Sequence, residues 1–201
     1  PCPDTNNDGS AETFSGADCP SYIGRLPWRT LGLPDLRDGN GERLWYAVSS
    51  QFARNPTCGS TCPLNSDTKG TLTITGVSPA ANVIAIVFAA GPSVGAQIRS
   101  AANQNNVAHY LEGGNETGIA TSTFVDAAAT PTFNDRLLPL SGTDVMTPVE
   151  IRAAREILNL LWAYRSVSDC ACYPWADKDD NTTDGRSDWS TYAGRVPLVR
   201  A

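Results

Sequence analysis

Four stretches of the chain have the hydrophobic patterns of β-strands. Residues 71–75 alternate polar and apolar positions, which predicts a strand with its two apolar side chains facing inward. Residues 82–90 form a continuous apolar run rich in Val and Ile, which is typical of a central strand. Residues 43–48 carry aromatic and β-branched side chains suited to a half-buried sheet surface, and residues 133–140 include a proline that favours an edge position. Together they predict one antiparallel sheet of about four strands.

One longer segment, Pro148 to about Val167, has the pattern of an amphipathic helix. Thr147 suits the N-cap, Pro148 suits the first helical position, and Glu150 completes a capping box. The predicted apolar face comprises Ile151, Ala154, Ile157, Leu158, Leu161 and Tyr164. The sequence therefore predicts an α+β fold, in which the antiparallel sheet packs on this α-helix and long loops are tied by disulfides.

The rest of the chain is mostly predicted to be loop. Residues 1–23, residues 51–70 and the segment from Ser168 onwards are interrupted by Gly, Pro and Cys. Residues 24–34 place large apolar side chains between glycines and prolines that forbid a regular helix. This turning segment is therefore expected to be extended and held in place by its side chains.

Composition narrows the class of protein without giving its chemistry. The 201 residues are 41% hydrophobic and 18% charged, as in ordinary globular proteins, and no apolar run is long enough to span a bilayer. The formal net charge is −6 and no basic cluster is present, which argues against a nucleic-acid partner. Six cysteines with a single histidine favour disulfides in an oxidising compartment over a zinc site.

All six cysteines are candidates for disulfides: Cys2, Cys19, Cys58, Cys62, Cys170 and Cys172. The pairs nearest in sequence are Cys2 with Cys19 and Cys58 with Cys62. A bridge between Cys170 and Cys172 would be strained, so one of these two is expected to pair elsewhere. Closing the first loop would stabilise the fold by roughly 3 kcal/mol through lost loop entropy.

Two acidic loops repeat one spacing of oxygen-bearing side chains. The first has Asp4, Asn6, Asp8 and Glu12, and the second has Asp180, Thr182, Asp184 and Asp188. With Gly at position six this is the spacing of a calcium loop, although Ser15 and Thr191 replace the usual Glu at position twelve. The alternative is an acidic turn whose side chains bond their own backbone. Ca²⁺ is therefore an open candidate as a cofactor.

A Gly-Arg-aliphatic-Pro sequence follows each acidic loop, at residues 24–27 and 194–197. The second copy has the predicted helix directly upstream. The repeat therefore predicts a corresponding helix upstream of Pro1, outside the numbered chain.

Several segments resemble a known family. They are Cys2-Pro-Asp4 with Asp8-Gly9, the Gly-Arg-Leu-Pro-Trp-x-Thr-Leu-Gly-Leu-Pro segment at 24–34, Leu44-x-Tyr46-Ala-Val48, and Asn134-Asp-Arg-Leu-Leu138. They resemble the globular heads of type IV pilin-like proteins, the prepilin-type or type II secretion pseudopilin-type subunits of bacteria. The resemblance covers most of residues 1–167. It implies a sheet laid over a long N-terminal helix that anchors the subunit and packs in the filament core.

On this resemblance, residues 1–146 are expected to form a pilin-like head lacking its N-terminal helix. Residues 147–201 are expected to form the amphipathic helix and the second acidic loop. The implied role is a structural subunit of an extracellular filament or secretion pseudopilus, without catalysis. Its partners would be other pilin or pseudopilin subunits, including copies of itself. The subunit would be extracellular or periplasmic, and anchored in the membrane only through the helix upstream.

Four aromatic residues of the last loop are candidate contact residues: Tyr173, Trp175, Trp189 and Tyr192. The alternative is that they pack this loop onto the sheet. Two other functions stay open. One is a secreted calcium-dependent binding module that uses the paired acidic loops. The other is an extracellular hydrolase, which would need a concave cluster of carboxylates. The single histidine, His109, has no nucleophile motif around it and is expected to be a surface or hydrogen-bonded residue.

Overall fold

The computed structural model describes residues 1–53, 64–168 and 171–176. Its described strands are β1 Ile23–Arg25, β2 Trp45–Val48, β3 Leu72–Gly76, β4 Ala80–Val83, β5 Ala85–Ala89, β6 Thr123–Asp126 and β7 Arg136–Leu140. Its described α-helices are α1 Gly118–Thr121 and α2 Gly142–Val167. The chain divides into two compact units, 1–147 and 148–201. The α+β class is confirmed.

An antiparallel sheet of four strands is present, as predicted, in the order β1-β2-β5-β7. Three of its strands fall in predicted runs, but the predicted strand at residues 71–75 belongs to a different sheet, and β1, which was not predicted as a strand, is the fourth member. Strand β5 is central and β7 lies at an edge, as predicted. Pro139 lies in this edge strand, where a missing N–H is tolerated.

A second sheet was not predicted from the sequence. It has three strands in the order β4-β3-β6, with β3 and β6 parallel. The apolar run 82–90, which predicted one strand, divides at Ile84 between β4 of this sheet and β5 of the first sheet. The sequence pattern gives no sign of this boundary, because the chain is buried where it passes from one sheet to the other and the residues there are therefore apolar in both strands.

The main core lies between the two sheets. Trp45 and Phe88 of the first sheet belong to the same buried cluster as Leu72, Ile74 and Phe124 of the second. The Phe88 and Phe124 rings lie 5.2 Å apart, centre to centre. The inward orientation predicted for residues 72 and 74 is therefore confirmed, since both side chains are buried.

The other face of the first sheet is covered by the N-terminal loop. Tyr46 and Val48 of β2 pack there with Cys2, Cys19 and Leu26. Because both faces are covered, all four residues of β2 are buried, and the expectation of a half-buried strand is wrong.

Helix α2 begins six residues before the predicted start. The N–H and hydroxyl of Ser141 donate to Asp144 Oδ2, at 2.8 and 2.6 Å, and the Asp144 N–H donates back to Ser141 Oγ at 3.2 Å. This reciprocal cap satisfies N–H groups that the first turn leaves without helical partners. Pro148 therefore lies inside the helix and is not its first residue. The prediction that the sheet packs on this helix stays a prediction.

Candidate functional site

The first acidic loop is closed by the side chain of Asp4, which is only 1% exposed. Its Oδ1 accepts the N–H groups of Asn6 and Asn7 at 3.0 and 2.6 Å, and its Oδ2 accepts the N–H of Gly9 at 2.6 Å. Gly9 has a φ of +87°, and a Cβ there would lie 2.5 Å from the Trp28 ring. The sequence Asp4 to Gly9 therefore folds as a tight turn packed under a tryptophan.

The other oxygens of the calcium-like spacing also accept hydrogen bonds from this region. Asn6 Oδ1 accepts the Asp8 N–H at 3.0 Å, and Asp8 Oδ1 accepts the Ser10 N–H at 2.7 Å. The Ser10 N–H holds the pKa of Asp8 below its usual value. Glu12 Oε1 accepts the N–H and hydroxyl of Thr5, at 3.1 and 2.8 Å. These bonds are those of the acidic-turn alternative.

Within the described part of the chain, no group of three or more His, Cys, Asp or Glu residues is arranged to hold a metal ion. Calcium binding by the first loop stays a prediction. The second acidic loop, with Asp180, Asp184 and Asp188, lies outside the described residues.

The turning segment is joined to the acidic loop through its backbone. The N–H of Asp4 donates to the carbonyl of Arg25 at 3.0 Å, and the Arg25 N–H donates to the Asp4 carbonyl at 2.6 Å. A Cβ on Gly24 would lie 2.6 Å from the Asp4 carbonyl oxygen, so this close approach requires glycine. The Gly24-Arg25 pair therefore has a structural role, because it lets the backbone of β1 pair with the acidic loop.

Arg25 is buried, with 3% of the residue exposed. Its guanidinium lies between the rings of Trp45 and Tyr110, with Cζ 4.1 and 4.0 Å from their centres. Nε and Nη2 donate to the Gln104 carbonyl at 3.2 and 2.7 Å, and Nη1 donates to the Arg43 carbonyl at 2.8 Å. Burial lowers the pKa of Arg25, while the nearby Tyr110 hydroxyl raises it. The two rings and the carbonyls hold this cation in one orientation.

A cleft of about 240 Å³ opens beside Arg25. It is lined by Asn7, Arg25, Arg37, Glu42, Arg43, Ser100, Ala101, Gln104 and Tyr110. Arg43 is fixed by Asp35, whose Oδ1 and Oδ2 accept from Nε and Nη2 at 2.9 and 3.1 Å. Arg37 Nη2 donates to the same carboxylate at 2.7 Å. Three guanidinium groups therefore line one cleft, each held by several hydrogen bonds.

A second buried polar cluster is organised around Asp135, which is 0% exposed. Its Oδ2 accepts hydrogen bonds from the Glu112 N–H at 3.0 Å and from Asn115 Nδ2 at 2.9 Å, whereas its buried Oδ1 has no hydrogen-bond partner among the described residues. Burial raises the pKa of Asp135 to about 7; the two hydrogen bonds lower it, and the charges of Glu112 and Glu116 add to the rise. Asn115 in turn bonds both the N–H and the C=O of Val125, at 2.7 and 3.1 Å.

A cleft of about 310 Å³ near this cluster bears on the hydrolase alternative, because Glu112, Glu116 and His109 line it. Glu112 Oε1 already accepts the N–H groups of Asn134 and Asp135, and its Oε2 accepts from Gln97. His109 Nδ1 accepts the N–H of Ile98 at 3.1 Å. These bonds give both side chains a structural role. The expectation that the chain lacks catalysis stays a prediction.

Helix α2 carries exposed apolar side chains beyond residue 148. Those with the largest exposed fractions are Leu160 at 67%, Val167 at 57%, Trp162 at 54%, Val149 at 52% and Leu158 at 51%. Two members of the predicted apolar face, Ile151 and Ile157, are 47% and 37% exposed. In the described part of the chain, no helix is long and apolar enough to cross a bilayer.

The predicted contact residues are described only in part. Tyr173 is 47% exposed, and its ring centre lies 5.5 Å from Cζ of Arg165. Trp162 lies on the same guanidinium at 5.4 Å, and Trp175 is half-buried. Trp189 and Tyr192 lie outside the described residues.

The disulfide prediction for the first loop is confirmed. Cys2 and Cys19 are bonded, with their Cα atoms 5.4 Å apart, and both are buried. Cys172 is also disulfide-bonded. Cys58, Cys62 and Cys170 lie outside the described residues, so the pairing of these cysteines stays a prediction.

Sequence reasoning missed the buried cation and the buried acid. Arg25 carried a signal in its position between Gly24 and an apolar pair, but an arginine is ordinarily expected at the surface. Asp135 lies in the Asn134–Leu138 segment that carried the resemblance, where no role was assigned to it. Asn115 begins the sequence Asn115-Glu116-Thr117, which has the form of a glycosylation acceptor, but the residue is 0% exposed, so its amide is not accessible in the fold.

No family model, no curated protein and no solved structure matches this chain.

Proposed function

We propose that this chain is a structural subunit, similar to a minor pilin or pseudopilin, of an extracellular filament or secretion pseudopilus. It acts by packing against other subunits of the same class. The observation that carries this proposal is the exposed apolar surface of α2 between Val149 and Val167. An exposed apolar surface of this kind is typical of an interface that other subunits cover in an assembly.

The extent of this surface supports assembly on more than one side. Successive residues of an α-helix are separated by roughly 100° around its axis. On that spacing, the exposed apolar side chains of α2 span an arc around the helix axis, which we call the apolar arc. Leu158 and Trp162 lie at one end of this arc, and Val149, Leu160 and Val167 lie at the other. The arc covers more than half of the circumference, which is wider than the single stripe that one packing surface needs. The polar remainder of the circumference includes Arg155 and Asn159.

The roles of the residues that carried the resemblance also support a structural function. Asp4 closes a turn, Arg25 lies between two rings, and Asp135 joins a turn to the start of β7. Each side chain is buried or bonded within the head. Residues of this kind stabilise a rigid frame, which is what a subunit that works by packing requires.

The test is incorporation of epitope-tagged full-length protein into surface filaments of its bacterial host. The variant with Leu160→Glu and Trp162→Glu adds two negative charges to the apolar arc. We expect this variant to be at least about tenfold less abundant than wild type in sheared filament fractions. The matched control is Arg155→Gln with Asn159→Glu on the polar side, which lowers the net charge by the same two units and should leave incorporation unchanged. Circular dichroism of each purified variant checks that the helix is retained.

Two results would contradict the proposal. One is a wild-type protein that never occurs in a filament or pseudopilus fraction and forms no cross-links to other subunits of that class. The other is a folded Leu160/Trp162 variant that is incorporated as well as the control.

A further inference from the structure

Among the described residues, no carboxylate lies within 4.0 Å of the buried Arg25 guanidinium. Ion pairs within 4.0 Å in the described ranges join Arg37 and Arg43 to Asp35, and Arg99 to Glu42. Arg25 donates instead to backbone carbonyl oxygens, which use three of its five N–H groups. A buried cation that is not paired with an anion is costly, so an anion that reached it would be bound favourably.

The cleft beside Arg25 gives an anion access to this charge. Its volume of about 240 Å³ is several times the roughly 30 Å³ of one water molecule, so it has room for a small oxyanion with some of its hydration. Arg25, Arg37 and Arg43 present planar groups of donors whose geometry matches carboxylate and phosphate oxygens. Asn7 and Gln104 line the same cleft, where Asn7 Nδ2 donates to Gln104 Oε1 at 3.0 Å and Asn7 Oδ1 accepts from Arg43 Nη1 at 2.9 Å, so these amides fix the cleft wall.

The charges around the cleft also set its selectivity. In the described ranges, Glu42 is the one carboxylate that lines the cleft; it repels an anion and lies near Arg25. Glu42 Oε1 is 3.9 Å from Nη1 of Arg99, which offsets part of its charge. Asp35 is shared by Arg37 and Arg43, so these two guanidinium groups together exceed it by one positive charge. The balance in the cleft is positive although the chain as a whole is acidic.

We infer that this cleft is a binding site for one small oxyanion, a carboxylate or a phosphate, held between Arg25 and Arg37. The anion comes either from solution or from an acidic side chain of a second copy of this chain. Neither source depends on incorporation into a filament, so the inference stands apart from the proposed function.

Isothermal titration calorimetry of the full chain with inorganic phosphate, and separately with acetate, tests the site at low salt. Arg37 is the residue to change, because its side chain is 46% exposed and its loss leaves the core intact. We expect Arg37→Gln to weaken binding about fivefold, the change given by roughly 1 kcal/mol for an exposed charge contact. Glu42→Gln should strengthen binding, because it removes the repelling carboxylate.

The matched control is Arg136→Gln, which removes an exposed arginine in β7 that does not line the cleft. It should bind as the wild type does. Sedimentation equilibrium distinguishes the two sources: if a second copy supplies the carboxylate, the protein self-associates, and both phosphate and Arg37→Gln weaken that association. If the anion comes from solution, the protein stays monomeric and binds phosphate.

Two outcomes would overturn the inference. The first is a wild-type chain that binds neither phosphate nor acetate at millimolar concentration and does not self-associate. The second is equal binding by wild type, Arg37→Gln and Glu42→Gln, which would place the anion elsewhere.

Discussion

Replacing Asp135 by Asn is expected to change how the stability of this protein depends on pH. The carboxyl group is buried, one of its oxygens has no hydrogen-bond partner in the part of the chain that the structure describes, and burial raises its pKa from 3.8 to about 7. An amide has no proton to gain or lose. Its oxygen can accept the same bonds from the Glu112 N–H and the Asn115 amide, so the hydrogen bonds are kept while the buried charge is removed.

The sign of the effect follows from which state binds more protons. Between pH 4 and 7 the folded protein holds a proton on Asp135 that the unfolded chain has released, so the wild-type free energy of unfolding falls as pH rises through this range. A pKa difference of about 3 units corresponds to about 4 kcal/mol at 1.36 kcal/mol per unit. Relative to wild type, Asp135→Asn should therefore gain up to about 4 kcal/mol between pH 4 and pH 7, and no more above pH 7.

The assay is urea unfolding at half-unit steps from pH 4 to pH 8, followed by tryptophan fluorescence. Asp135→Ala provides an internal check, because it removes the same titrating group but leaves two buried donors unsatisfied. The difference in free energy of unfolding between Asp135→Ala and wild type should vary with pH as it does for Asp135→Asn. It should be lower at every pH by roughly 2 to 6 kcal/mol, because two buried donors lose their acceptor. Leu138→Ala, at a side chain that is 61% exposed, should give a flat curve. A flat curve for Asp135→Asn would refute the reasoning.

Three further predictions concern the acidic loop and its support. Gly9→Ala should destabilise the fold by roughly 2 kcal/mol or more, because the new Cβ would clash with the Trp28 ring at a residue of positive φ. Gly32→Ala, at a φ of +67° with open space around it, should cost about 1 kcal/mol. Urea unfolding compares the free energies of the two variants. Replacing both Cys2 and Cys19 by Ala should cost about 3 kcal/mol, measured in the same way, and this difference from wild type should shrink when a reductant opens the wild-type bridge. Calcium or a chelator should leave the melting temperature unchanged in calorimetry, because Asp4 and Asp8 of the first acidic loop already accept hydrogen bonds from their own loop. A rise of the melting temperature with calcium would favour the calcium-binding alternative.

The sequence predicted well those elements whose local pattern of residues follows directly from how they pack in the fold. Residues 71–75 alternate because one face of β3 meets the core, and Pro139 lies at an edge because it cannot donate a hydrogen bond. The second sheet was missed because parallel pairing of β3 with β6 joins segments about 50 residues apart, and nothing local encodes it. The start of α2 was missed because Pro148 and Glu150 imitate a helix start, while the true cap at Ser141 uses an Asp in the third position.

The candidate site was predictable only in part, for a similar reason. The acidic loop was found from its spacing, and the alternative of a self-bonded turn was among the expectations. The cleft at Arg25 depends on Tyr110 and Gln104, which reach it from a loop some 80 residues away. Spacing within a motif carries no information about such distant partners. Charge counting also fails there, because a buried arginine contributes to the sequence total as an exposed one does.

The amide of Asn115 has a consequence for how this chain meets its neighbours. Strand β6 ends its sheet, and Asn115 occupies the N–H and C=O of Val125 that would otherwise accept an added strand. One side chain thus blocks growth of the sheet by strand addition at that point. Two copies of this chain are therefore hindered from joining edge to edge through β6 at Val125, which removes one route to amyloid-like aggregation. Contacts that another chain makes at this point of the edge are then left to side chains, which can discriminate between partners.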